Sequence, residues 1–310
     1  MELRPLGKTG IVVSRLGYGA SPLGGEFGVI DEDEGIRSVH RAIDLGIRLF
    51  DVAPYYGRTR AETVLGRALA GRRDEVVLCS KVGRYGKDDF DFRPERILPG
   101  LEESLERLGT DHLDLVIVHD IEFRPLAPIL EATIPALVRA REQGKVRAIG
   151  VSGLPLGVLE RAVDGAELDF VLSYCRYTLQ DRSLTDSLMP KVRRKGMGLL
   201  NAAPLAMGLL TQFDPPPWHP APLAVVHACK AAARHCAERG ADLADVALAF
   251  ALANSEIDST IVGMPTIAQV ERNLKACLTP ADPVLVAEIE EILAPVRGVS
   301  WPSGLPENQD

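Results

Sequence analysis

Cysteine is scarce in this 310-residue chain, and the five present, Cys79, Cys175, Cys229, Cys236 and Cys277, are an odd number with no C-x-x-C pair. Disulfide frameworks and zinc ribbons need closely paired thiols, so the pattern implies free cysteines in a reducing compartment. A basic excess is missing too. Lys and Arg number 35 against 43 Asp and Glu, a net charge of -8, which argues against a nucleic-acid or anionic-membrane partner. The weakly polar stretch 196–210 is too short to span a bilayer and is interrupted by Asn201 and Pro204. Residues 1–10 lack the apolar core of a signal peptide. The expected location is cytoplasmic.

Several catalytic motifs are also absent. Ser80 and Ser152 lack the G-x-S-x-G elbow of a serine nucleophile. Gly7-Lys8-Thr9 ends like a phosphate loop, but Glu2 stands where its first glycine belongs. Gly17-Tyr18-Gly19 lacks the third glycine of a dinucleotide fingerprint. The six histidines are dispersed, and His227 and Cys229 would project to different sides of a helix. No metal site is expected.

What is present is an alternation of short apolar runs and longer amphipathic segments. Strand-like runs fall at 16–19, 47–51, 76–80, 113–118, 146–151, 170–173, 197–202 and 259–262. Helical patterns fall between and after them at 32–45, 61–70, 94–108, 128–143, 156–164, 185–195, 223–239 and 267–277. Eight such units with no linker predict an α/β fold, a single (β/α)8 TIM barrel spanning residues 1–310 as one domain. A doubly wound open sheet is the competing architecture. Ahead of the first barrel strand, 3–6 and 11–14 flank a Gly-rich turn and predict a β-hairpin at the barrel floor. An extra C-terminal helix is expected within 282–296.

Three of the apolar runs end in chemistry: Asp51, Lys81 and His119, with Tyr56 in the loop after Asp51. In parallel α/β folds these ends share one rim, where active sites form. A phenol with pKa about 10 is a poor base near neutrality, and lowering it by about three units takes roughly 4 kcal/mol. An ammonium about 4 Å away supplies a similar amount at an effective dielectric of about 20. Lys81 is therefore expected to bring Tyr56 into working range alone, with Asp51 holding Lys81 and His119 orienting the reacting oxygen. An acid/base tyrosine without a nucleophile or metal points to hydride transfer with a nicotinamide.

With these residues in view, the chain resembles an aldo-keto reductase from end to end. The stretch Phe50-Asp51-Val52-Ala53-Pro54-Tyr55-Tyr56-Gly57 resembles that family's aspartate–tyrosine motif, and Lys81 and His119 match its remaining tetrad positions. The resemblance implies cofactor contacts from Gly19, Ser152, Gly153 and Ser173. It adds a phosphate loop containing Pro204, Leu205, Met207, Gly208 and Leu210, and a closing signature with Gly263, Met264, Gln269 and Asn273. Gly153 stands where asparagine is usual, Ser173 where glutamine is common and Ala202 where an aromatic often stacks. Around Gly263, Met264 and Gln269 the only nearby cation is Arg272, so NAD is expected over NADP. Within the family the likeness is to sugar dehydrogenases, which implies oxidation of an aldose at C1 to a lactone, with L-galactose as the expected sugar and ascorbate synthesis as the setting. Candidate sugar contacts are Tyr85, Phe90, Asp120, Glu122, Phe123, Tyr174 and Trp218, which combine polar partners with an aromatic wall. Alternatives are an L-fucose, D-arabinose or pyridoxal dehydrogenase, a broad NADPH-dependent aldehyde reductase, and a non-catalytic nucleotide-sensing subunit. A monomer or weak homo-oligomer is expected.

Overall fold

The computed structural model describes residues 1–25 and 28–310. A two-stranded antiparallel hairpin, β1 (Leu3–Pro5) and β2 (Val12–Ser14), precedes eight parallel strands. These are β3 (Leu16–Gly19), β4 (Leu49–Asp51), β5 (Val77–Val82), β6 (Leu113–Val118), β7 (Val146–Gly153), β8 (Phe170–Tyr174), β9 (Gly198–Ala202) and β10 (Ser259–Gly263). They pair in chain order and close through β10, which bonds to both β9 and β3. The expected (β/α)8 barrel is what forms.

The strand runs are apolar without alternation because both faces are buried. On β6, Leu115 and Ile117 join the cluster in the barrel lumen, while Val116 and Val118 join the cluster beneath the helices. The hairpin seals the lumen from below, with Leu6, Ile11 and Val13 packed into the lumen cluster. Gly7 makes that approach possible. Its φ is +51°, and a Cβ there would sit 2.3 Å from the Gly198 amide nitrogen.

Three helical expectations need correction. The pattern at 223–239 predicts a barrel helix, but the helix Leu223–Glu238 packs instead on the C-terminal helix Pro283–Leu293. Val225, Cys229 and Cys236 meet Leu285, Ile289 and Leu293 in a satellite core. The helix that covers the sheet between β9 and β10 is Leu243–Leu252, absent from the sequence reading. It is apolar almost all round, so no 3.6-residue stripe marks it. The segment 128–143 is broken by a π-helical stretch, Ile129–Thr133, ahead of Pro135, whose nitrogen cannot donate to the turn before it. The segment 185–195 divides at Ser187 into Ser183–Asp186 and Leu188–Lys195.

Candidate active site

The carboxyl-terminal ends of β4, β5 and β6 bring Asp51, Lys81 and His119 to one rim. The ladder continues just past them, through Val52 N–H to Cys79 O and His119 N–H to Val82 O, both 2.9 Å, so the side chains are set by sheet geometry. Lys81 Nζ lies 2.7 Å from both oxygens of Asp51 and 2.9 Å from the Val52 carbonyl. All three of its protons therefore have acceptors. The same ammonium lies 4.9 Å from the centre of the Tyr56 ring. His119 meets that ring edge-on, with centroids 5.8 Å apart.

Electrostatics at this rim are governed by burial. It pulls the Lys81 ammonium down, but the Asp51 carboxylate holds it above the usual lysine range, so it is charged. Burial, with Lys81 and Arg84 adding repulsion, pushes His119 well below its ordinary value, so the imidazole is neutral. For Tyr56 the sequence-level expectation is overturned. Burial raises the phenol by more than Lys81 lowers it, and Asp51 and Asp120 raise it further. A simple pair calculation omits that desolvation. At rest Tyr56 is protonated.

Beyond the tetrad lies a cavity of about 1030 Å³. Of the expected sugar contacts, Asp120, Phe123, Tyr174 and Trp218 line it. Tyr85, Phe90 and Glu122 do not. The Tyr85 hydroxyl donates to Arg96 O at 3.4 Å and its ring lies under the Arg96 guanidinium. Phe90 stacks behind Phe123 at 4.4 Å. Glu122 is fully buried. Arg84, which the sequence reading missed, lines the cavity, pairs with Asp120 at 2.5 Å, and lies 3.9 Å over the Tyr55 ring. Its one sequence signal was its place just past the end of β5. Asp120 itself is held at φ +53°, a left-handed conformation unusual for a non-glycine residue.

Of the expected cofactor contacts, Gly19, Ser152, Pro204, Leu205, Met207 and Gly208 line the cavity, as do Gly263 and Gln269. Gly153, Ser173, Leu210, Met264 and Asn273 do not. Strand parity accounts for Ser173, because Leu172 and Tyr174 on either side of it face the cavity. The loop that lines this end of the cavity carries unusual backbone: Ala203 and Met207 in the wall, and Ala206 between them, all have φ near +50° although none is glycine. Strain of this kind concentrates at ligand clamps. Among the described residues, His119 Nδ1 is buried without a partner. An extended groove running from an acid/base rim to a strained loop has the shape for a nicotinamide dinucleotide, and Ser152 and residues of the 203–208 loop line it where they could hold one.

Residues 15–294 match the Aldo/keto reductase family. The chain is 46% identical to the L-galactose dehydrogenase of Arabidopsis thaliana over 319 aligned residues, covering 99% of each. It is 30% identical over 311 residues to the D-threo-aldose 1-dehydrogenase of a Pseudomonas species, covering 91% of this chain and 94% of that one. Among solved structures, an aldo-keto reductase from Bacillus halodurans in its holo form superimposes with a TM-score of 0.80 at 26% identity, with 100% of both chains covered.

Proposed function

This chain belongs to the aldo/keto reductase family, oxidoreductases acting on a CH–OH group, and from that premise we propose that it oxidises L-galactose at C1 to L-galactono-1,4-lactone with NAD. The observation that carries the reading is the buried Lys81–Asp51 pair held against Tyr56 and a neutral His119 in an aromatic-walled cavity that also carries Asp120 and Arg84. Tyr56 takes the proton of the anomeric hydroxyl. It does so as the phenolate, which the proton turns into a neutral phenol; Lys81 offsets the negative charge of that phenolate before the transfer, and Asp51 keeps the ammonium aimed. The uncharged His119 ring offers a nitrogen to the reacting oxygen without competing for the proton. When bound, the nicotinamide dinucleotide supplies the acceptor for the C1 hydride. The balance is aldose plus NAD⁺ giving lactone, NADH and one proton, and the proton leaves through Tyr56. This reading implies a step of ascorbate synthesis.

Two ion pairs support NAD over NADP. Arg272 is already engaged by Asp242 at 2.8 Å and Asp245 at 2.6 Å. The helix Ile267–Leu278 presents its N-terminus beside Gln269, but Glu34 Oε1 accepts its first N–H, that of Ile267, at 2.9 Å. That N–H and Arg37 hold the Glu34 carboxyl below the usual range, so it is ionised. An additional phosphate would meet a like charge there. Steady-state assays of L-galactose, L-fucose, D-arabinose and pyridoxal, each with NAD and NADP, test the proposal. L-Galactose with NAD is expected to give the highest kcat/KM. Absence of NAD reduction with every aldose would overturn it.

A further inference from the structure

Glu122 was expected to touch the sugar; it sits instead one layer behind the cavity, at 0% exposure. Among the described residues its carboxyl is met by neutral donors, all on Oε1: the Leu154 N–H at 3.2 Å, the Tyr174 hydroxyl at 3.3 Å and the Ser303 hydroxyl at 2.9 Å. Oε2 is buried and unpartnered. That is the pattern of a carboxylic acid whose carbonyl oxygen accepts and whose other oxygen carries the proton. The backbone carbonyl of Glu122 is used as well, accepting from Leu305 N–H at 2.8 Å and Asn308 Nδ2 at 3.0 Å.

The neighbours are shaped around this residue. A Cβ on Gly153 would lie 2.8 Å from Glu122 Oε2, and one on Gly304 would lie 2.2 Å from the Glu122 carbonyl oxygen. The glycine standing where the family usually has asparagine therefore makes room for this acid. The carboxyl holds Ser303, and the backbone carbonyl holds Leu305 and Asn308, of the strap of chain at 301–308. Trp301, Ser303 and Gly304 of that strap line the same cavity as Tyr56, and so does Tyr174.

We propose that Glu122 is a positioning residue which, as a neutral acid, clamps the C-terminal strap and Tyr174 as the sugar-facing wall of the cavity, and that its ionisation loosens this wall. Burial, and then the negative charge of Asp120, hold the Glu122 acid up at about 8. The other titratable or charged groups around it are Asp120 on its own segment, raised by burial against the pull of Arg84, and Tyr174 on β8, pushed well up by burial and by Glu122. The β7 end contributes only the uncharged Gly153 and Leu154. The far end of the strap is anchored separately, by the Arg176–Asp310 ion pair. The kinetic consequence rests on the aldose reading, whereas the strap itself does not.

Hydrogen exchange of the 299–310 peptide, corrected for intrinsic base catalysis and followed from about pH 6.5 to about 9.5, tests the clamp without any turnover. Wild-type protection is expected to fall about tenfold across a midpoint near 8, and Glu122→Gln, of the same shape but without the charge, is expected to stay protected throughout. Glu122→Ala keeps the backbone carbonyl that holds Leu305 and Asn308 but loses the carboxyl, so it should show the same tenfold lower protection at every pH, with KM for L-galactose raised about tenfold or more and the Kd for NAD unchanged. Wild-type protection that ignores pH would overturn the proposal. So would an equal pH-dependent loss in Glu122→Gln, which would assign the titration to Asp120. Should no aldose be turned over, the function proposed above fails while the exchange result still decides the clamp.

Discussion

Replacing Lys81 with methionine removes a cation that opposes desolvation of Tyr56 while keeping most of the side chain's volume. At an effective dielectric of about 20, a unit charge 4.9 Å from the ring centre is worth roughly 3 kcal/mol, or about 2.5 pK units. Oxidation draws on the phenolate, a minor species in the working range, so its rate follows that fraction. The kcat/KM for L-galactose should therefore fall about 10²- to 10³-fold, and the rise of rate with pH should continue to a higher pH than in the wild type. The fold is also affected. Asp51 would be left buried at 4% exposure without its counter-ion, which costs about 3–5 kcal/mol. The double variant Asp51→Asn/Lys81→Met removes both charges and should recover most of that stability without recovering rate. Urea denaturation gives the first quantity and initial rates of NADH formation give the second. A Lys81→Met enzyme within threefold of wild type, with an unchanged pH profile, would refute the assignment of Lys81 as the group that tunes the phenol.

Two further outcomes follow from contacts away from the tetrad. Glu34→Lys replaces the carboxylate on the Ile267 N–H with a cation and should raise the NADP-to-NAD ratio of kcat/KM by about three- to tenfold, read by steady-state kinetics with both dinucleotides; an unchanged ratio would separate Glu34 from the cofactor. Leu6→Ala leaves a void where the hairpin plugs the lumen, and should lower the urea midpoint by the equivalent of about 2–5 kcal/mol at constant m while leaving kcat per folded molecule intact, because Leu6 lies at the opposite end of the barrel from Tyr56.

The legible parts of this chain are those in which local sequence carries the constraint. Asp51, Lys81 and His119 could be brought together without coordinates because each ends an apolar run, and parallel strands bring such ends to one rim. Other features depend on what surrounds a residue, and no local pattern encodes that. Leu243–Leu252 was missed because a helix covered on most sides has no polar face to set its period. Ser173 was expected at the cofactor and Tyr174 at the sugar, but a one-residue difference in strand parity decides which of the two faces the cavity, and the motif alone did not fix it. Glu122 reads as a loop acid until the strap, some 180 positions later in the chain, is seen to close over it.

The same distinction explains the sign error at Tyr56 and gives it a consequence. Charge pairs can be enumerated from sequence, but the depth at which they are buried cannot, and here burial outweighs the ammonium. A phenol protonated at rest is ready to give a proton, so oxidation must gain about tenfold per pH unit as phenolate accumulates below its raised pKa. Glu122 works the other way. Its acid is held at about 8, so the neutral form that clamps the strap is present below that value and is lost as pH rises through it. Its folded-state pKa is raised, so the same proton contributes stability fully below the ordinary carboxyl range and loses it by about pH 8. The kcat/KM for L-galactose should accordingly climb with pH and then break near pH 8, through a rise in KM and not a fall in kcat. In Glu122→Gln the climb should continue past that point. A break in kcat alone, or one that survives the substitution, would remove Glu122 from the explanation and return the alkaline limb to the tetrad.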